Sequence, residues 1–406
     1  MVRRKERIIL HSDINNCFAS IECVFRPELK KVPMAVGGNK QERHGIILAK
    51  NQIAKGFGVK TGEALWEAKQ KCPNLIIVPP RVDMYLDFSK RVFKIYEEYT
   101  NQIESFGIDE CWLDVTGSQK SGYDIAEEIR QRIKTDLGVT VSVGVSFNKI
   151  FAKLGSDYKK PDAVTVISKE NFKEKIWGLP AIELLSVGPA TNKKLNKYGV
   201  TTIGQLAQTP IELLQSWFGK TGCTIWRFAN GLDNAPVEYV GTDQMVKSVG
   251  NGRTAHRDLE SNQDVKVLIY ALAESVASRI RKIDKKAEVI SVSVKNKDFV
   301  ACSAQHKLEM PTDDANEIGK EAFALFLKNY NWLTYGNIRA VTISGSKLVD
   351  KDEPVQMDIY TNPQRLEKRD NLNKTVDLLR GRYGYTCLRR AVVMSDLGMK
   401  KMHFGG

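Results

Sequence analysis

The chain is poor in the residues that staple or metallate small folds. Of 406 residues only seven are cysteine, and none form a CxxC pair. An odd count without paired spacing argues against a disulfide framework and fits reduced thiols in a cytoplasm. The five histidines are scattered, which speaks against a Cys/His zinc site. No apolar run is long enough to span a bilayer, so no membrane partner is expected. The N-terminus is basic, but Ile8-Ile9-Leu10 is too short for a signal-peptide core.

What is present is charge, unevenly placed. The net charge is +13. Residues 79–168 carry 12 Lys+Arg against 14 Asp+Glu, residues 18–78 carry 10 against 5, and residues 361–406 carry 10 against 4. An acidic centre between basic flanks suits a polyanion gripped at the periphery with cations in the middle. A generally basic soluble protein would have the same total. The acidic centre contains the stretch Glu104 to Val115, where Asp109 and Glu110 interrupt an apolar run. The run reads as a hairpin, one strand ending near Phe106 and the next spanning Cys111 to Val115. Adjacent carboxylates between buried strands cost desolvation unless something positive is there. A hard divalent cation is one answer and a solvated turn the other.

Along the chain, Ile8–Leu10 begins a strand that ends at His11-Ser12-Asp13, and residues 16–24 read as a short helix. Residues 32–36 and 46–49 are strands, and 51–57 and 62–71 are helical, in a glycine-rich basic subdomain over 18–78. Residues 84–103 form an amphipathic helix with Tyr85, Phe88, Val92, Ile95, Tyr96 and Tyr99 as its stripe. After the hairpin come helix 123–136, strand 139–146, helix 148–158 with Lys149 and Lys153, and strand 163–167. The β-α-β-β-α-β order is ferredoxin-like and can bring Asp13 beside Asp109 and Glu110. Residues 169–233 are helical, with Val187-Gly188 and Gly219-Lys220-Thr221-Gly222 between helices: phosphate seats, or plain helix turns. Residues 234–244 read as a linker. A second α/β domain runs from 245 to 346, with strands 245–251, 287–295, 298–306 and 337–345 and helices 263–283 and 312–330. Arg279, Arg281, Lys282, Lys285 and Lys286 end its first helix, as a phosphate-tracking edge or a solvated face. Residues 347–406 are a polar tail, helical over 364–380.

These residues resemble a known family. Asp13-Ile14-Asn15-Asn16-Cys17-Phe18-Ala19-Ser20-Ile21-Glu22 is similar to the first motif of Y-family translesion DNA polymerases. Residues 54–62, the pair Asp109-Glu110, residues 142–149 with Lys153 and Lys160-Pro161, and Lys247-Ser248-Val249-Gly250-Asn251 resemble the family's later motifs, in order. The resemblance runs from about residue 8 to 345 and is nearest the DinB branch. It implies an α/β right-hand polymerase: a ferredoxin-like palm (1–17 and 79–168), small fingers (18–78), a helical thumb (169–233) and an α/β little finger (245–346). It implies two Mg²⁺ ions, with Mn²⁺ as a substitute, held by Asp13, Asp109, Glu110 and the Ile14 carbonyl. Phe18 would be the steric gate against a ribose 2′-OH. Asn16, Cys17, Gln52, Lys55 and Lys160 would face the nucleotide. Val187, Gly188, Gly222, Lys247, Ser248 and Arg253 would face DNA. The implied partners are primer-template DNA, deoxynucleoside triphosphates and a sliding clamp, for a monomer in a bacterial cytoplasm.

The chain departs from the family pattern at four places. Gln52 and Lys55 stand where Tyr and Arg are usual, Cys17 where an aromatic is usual, and Gly107 where Ser is usual. Lys55 keeps a charge but lacks the guanidinium fork. Phosphoryl transfer needs cations that neutralise the reacting phosphate, and the rest is positioning. No second acidic cluster points to a proofreading exonuclease. An untemplated palm-type nucleotidyl cyclase and an inert DNA-binding accessory protein are the other readings. In the tail, Gln356, Met357, Ile359 and Tyr360 resemble a clamp-binding peptide, or else belong to a last strand of the little finger.

Overall fold

The computed structural model describes residues 6–38, 45–242, 245–354 and 362–394. They divide into two compact units, one up to residue 242 and one from 245 onward. In the first unit the strands are β1 (Ile9–Ile14), β2 (Met34–Gly37), β3 (Ile47–Lys50), β4 (Ile76–Val78), β5 (Ile103–Ser105), β6 (Glu110–Asp114), β7 (Val141–Ser146) and β8 (Val164–Ile167). The helices up to residue 158 are α1 (Cys17–Phe25), α2 (Gln52–Gly56), α3 (Leu65–Lys71), α4 (Val82–Glu97), α5 (Gly122–Leu137) and α6 (Lys149–Tyr158).

The palm sheet has the order β5-β6-β1-β7-β8. Its first four strands pair antiparallel, as the β-α-β-β-α-β reading requires, and β8 joins parallel to β7 through α6. β1 is central and is shifted by one residue from the expected strand, ending at Ile14 rather than Asp13, because Ile14 still pairs with Val141 of β7. α4 and α5 cover one face. In α4, Tyr85, Phe88, Val92, Ile95 and Tyr96 are buried at helical spacing. The helix expected over 84–103 overran by six residues at its C-terminal end. The helix stops at Glu97, and Thr100 instead donates to the Asp114 carbonyl at 2.7 Å, turning the chain into β5. α5 starts at a Ser121 cap, whose hydroxyl accepts from the Asp124 amide, and stops at Gly138, where φ is 71°. On the other face α6 lies so close that a Cβ on Gly144 would stand 1.9 Å from the Ala152 carbonyl oxygen. That approach sets where the α6 lysines reach.

The fingers are a three-stranded sheet, β3-β2-β4, with their own small core of Ala35, Ile47, Ala54, Leu65 and Leu75. The thumb is helical and packs around Ile176, Leu195, Ile203, Leu206 and Ile225. The stretch expected as a linker is bound to the palm in its first half. Val237 is buried against Ile9, Trp112 and Ala152, and Val240 donates to the Asn101 carbonyl at 2.9 Å.

The second unit is a four-stranded antiparallel sheet, β11-β10-β12-β9, built from β9 (Ser248–Leu259), β10 (Lys285–Asn296), β11 (Ala301–Thr312) and β12 (Ile338–Asp350). Helices Asn262–Lys282 and Ala315–Asn329 seal one face over an apolar core. The other face carries small polar side chains, with Ser291 hydrogen-bonded to Ser344 at 2.7 Å and Ser303 to Ser293 at 2.8 Å. Two expectations change here. The helix after 346 is not a free tail: Pro363–Tyr383 is tied down by Arg281 to Asp377, Asn373 to Asp314, and Arg380 to the buried Glu274. Arg281 is therefore neither a phosphate edge nor a solvated face. It also donates to the Asp313 carbonyl at 2.6 Å. Among the described residues no helix is long and apolar enough to cross a membrane.

Candidate active site

The sheet register brings the acidic residues together. Asp13 in β1 lies opposite Glu110 in β6, and the Ile14 amide donates to the Asp109 carbonyl at 2.9 Å. Three carboxylates thus share one rim, as the topology required. Burial raises the pKa of Asp13, and Lys160 only partly offsets it. Burial, then the charges of Asp13 and Glu110, raise that of Asp109. Burial also works against Glu110, but hydrogen bonds from His11 and Lys153 hold it down at about 2.

The cations at this rim are lysines. Lys160 Nζ lies 2.8 Å from Asp13 and 2.7 Å from Asp157, and Lys153 Nζ lies 2.5 Å from Glu110. α6 delivers Lys149 and Lys153 on one face, four residues apart. The helix starts there because Asn148 caps it, accepting from the Phe151 amide at 2.8 Å. Lys153 also lies over the Phe106 ring, and Lys149 pairs with Glu104 over the Trp112 ring. The buried His11 ring hydrogen-bonds Ser156 at 2.8 Å and faces Glu110 at 3.4 Å. Burial lowers the pKa of His11.

This donor set fits a hard divalent cation. It is made of carboxylate oxygens, two of them disfavoured as bare anions by burial, and it already attracts ammonium groups. Among the described residues the carboxylates do not close into a ready cage, because Glu110 and Asp13 turn to their lysines.

Phe18 projects from α1, half-buried, and its ring stacks on Tyr85 at 4.4 Å and 16°. Tyr85 is itself anchored: its hydroxyl donates to Glu22 at 2.7 Å, and Arg81 pairs with the same carboxylate. The sequence reading missed this support, since Tyr85 was counted only in the apolar stripe. Asn16 precedes α1 in a left-handed conformation, φ 51°. Gln52 and Lys55 are exposed on one face of α2. Cys17 is buried, so its thiol is not a surface contact.

The DNA-facing expectations separate. Gly188 is exposed and begins helix Pro189–Lys197, which has no side-chain cap to occupy its first amides. Val187 is buried in the thumb core. Gly222 is corrected: it lies inside helix Lys220–Ala229, and a Cβ there would stand 2.0 Å from the Leu214 carbonyl oxygen. It lets two helices touch, and the exposed part of that turn is Gly219-Lys220-Thr221. Lys247 and Ser248 are exposed at the start of β9, and Arg253 is half-buried in it. Gln356, Met357, Ile359 and Tyr360 lie outside the described residues.

Comparison with known proteins now decides the family. The impB/mucB/samB family matches residues 12–157, its C-terminal domain matches 246–359, and the DNA polymerase-iota thumb domain matches 183–233. DNA polymerase IV of Acetivibrio thermocellus is 48% identical over 98% of this chain and 100% of that one. The chain belongs to the Y-family DNA polymerases, in the DNA polymerase IV branch. DNA polymerase IV 2 of Bacillus subtilis is 33% identical over 97% of this chain and 96% of its own length. A solved Y-family DNA polymerase chimera, Dbh-Dpo4(243-245)-Dbh, shares the fold, with a TM-score of 0.75 at 24% identity over 84% of this chain and 99% of that one. As a member of this branch the chain is a template-directed translesion DNA polymerase that depends on divalent metal. Nothing in these comparisons favours the cyclase or the accessory-protein reading.

Proposed function

We propose that deoxynucleotides are joined to a primer 3′ end at the rim of Asp13, Asp109 and Glu110, with Mg²⁺ as the metal. The observation that carries this is the register that places the three carboxylates together although 96 positions separate Asp13 from Asp109. Asp13, Asp109, Glu110 and the Ile14 carbonyl would hold two Mg²⁺ ions. When bound, these ions neutralise the triphosphate and make the primer hydroxyl a better nucleophile. Lys160, Lys55, Gln52 and Asn16 bind phosphate oxygens, and Phe18 closes the sugar side of the pocket. In the transfer, the primer 3′-oxygen bonds to the α-phosphorus, the bond to the bridging oxygen breaks, and pyrophosphate leaves. Primer extension on undamaged and lesion-bearing templates tests this reading. Insertion opposite the lesion is expected, and loss of template dependence would overturn it.

Lys220 and the uncapped helix at Gly188 in the first unit, and Lys247 and the serine-bearing sheet face in the second, are each proposed to contact DNA. Binding by phosphate contacts releases counterions. Affinity measured by fluorescence anisotropy should therefore fall roughly 10³-fold between 50 and 200 mM salt. A flat dependence would argue against this grip.

We also assign Gln356, Met357, Ile359 and Tyr360 to a sliding clamp. A few apolar anchors and one oriented glutamine suit a short peptide that fills a cleft, and tethering raises local DNA concentration. Ile359→Ala with Tyr360→Ala should leave clamp-free extension unchanged and remove stimulation by the clamp. Retained stimulation would place the contact elsewhere.

A further inference from the structure

A cleft of about 240 Å³ opens between the N-terminus of α1, the start of α2 and the palm loop at Gly138. That is many times the space of roughly 15 Å³ needed by one water. Its wall includes Asn16 and Gln52, both nucleotide-facing candidates, and Pro161, the neighbour of Lys160. It reaches the exposed Lys30, on the short helical turn Pro27–Lys31. Among the described residues no carboxylate lines it.

Most of the polar groups in the wall are already used. Asn15 donates to Thr140 at 3.1 Å, and Ser20 donates to the Asn15 carbonyl at 2.5 Å. Asn51 accepts from the Ala54 amide and donates to the carbonyls of Leu29 and Val32. The side chains of Asn16, Gln52 and Lys30 are different: among the described residues they make no hydrogen bond or ion pair. One ammonium and two amides thus surround an open cavity with their donors unspent. A small polyanion satisfies such a set, because charge-assisted bonds to phosphate oxygens are the strong ones.

Resting on the polymerase reading above, we infer that this cleft binds the pyrophosphate leaving group and that Lys30 is its cation. The cleft gives the product a seat continuous with the phosphate end of the nucleotide, away from the primer. Lys30 is not among the residues proposed to hold the incoming triphosphate, so its loss should weaken product binding more than substrate binding.

The test is inhibition of extension by sodium pyrophosphate, with pyrophosphorolysis of the primer as a second readout. Lys30→Ala should raise the inhibition constant about 10-fold and slow pyrophosphorolysis by a similar factor, and Lys30→Arg should restore both. Lys31→Ala, an exposed neighbour outside the cleft wall, should behave as the parent. A parental inhibition constant in Lys30→Ala overturns the inference. So does an equal loss of nucleotide affinity, which would give the cleft to the incoming triphosphate. If the parent protein extends no primer at all, it is the polymerase reading that fails. A parent that extends, with a Lys30→Ala variant equally inhibited, refutes the cleft alone.

Discussion

Replacing Asp109 or Glu110 with alanine should reduce primer extension by at least about 10³-fold, on the order of 4 kcal/mol of transition-state stabilisation. Affinity for primer-template DNA should stay near the parent value. Both halves follow from the position of these residues. They sit on the sheet rim, half-buried, with lysines already drawn to Glu110 and Asp13. Removing Glu110 leaves Lys153 without its carboxylate, and removing Asp109 takes away one of three carboxylates. Neither change touches the thumb helix at Gly188 or the second unit's sheet, where DNA is proposed to bind. Single-turnover extension and equilibrium DNA binding, measured on the same preparations, separate the two effects. Near-parental extension by either variant would sink the metal assignment. An equal fall in DNA affinity would mean that the carboxylates organise the fold instead.

Phe18→Ala should admit ribonucleotides, with discrimination against them falling by about 10²-fold or more. The Phe18 ring is held flat against Tyr85, and Tyr85 is held by Glu22 and Arg81. A ring backed in this way is a wall, since it cannot be pushed back without displacing Tyr85 from its buried hydrogen bond to Glu22, and a rejected 2′-hydroxyl has nowhere to go. Alanine removes the wall and leaves room for the hydroxyl. Deoxynucleotide insertion should weaken less than ribonucleotide insertion improves. The ratio of kcat/KM for the two sugars is the measurement. An unchanged ratio would make Phe18 a core residue only.

Much of the first unit was legible because its signals are local. Helical spacing in α4 and the alternation of strand and helix gave the palm order, and that order placed Asp13 beside Asp109. What escaped notice depends on contacts between distant segments. Lys153 was visible as a helix residue, but its pairing with Glu110 follows from how closely α6 crosses Gly144. Gly222 looked like a loop glycine because glycine serves both turns and close helix crossings, and only the Leu214 carbonyl tells them apart. The helix Pro363–Tyr383 read as part of a polar tail because its charges are balanced by partners up to 106 positions away, as in Arg380 with Glu274. The Phe18–Tyr85–Glu22 support is likewise invisible in a stripe pattern, which reports burial and not hydrogen bonding.

The central claim is that Asp13, Asp109 and Glu110 gather divalent cations for template-directed nucleotide addition. It is tested most directly by single-turnover incorporation of each nucleotide opposite each template base, titrated with Mg²⁺ after treatment with a chelator. The expected result is no incorporation without metal, a steep rise with Mg²⁺, and a strong preference for the complementary nucleotide. Incorporation that persists in the chelator, or that ignores the template base, would contradict it.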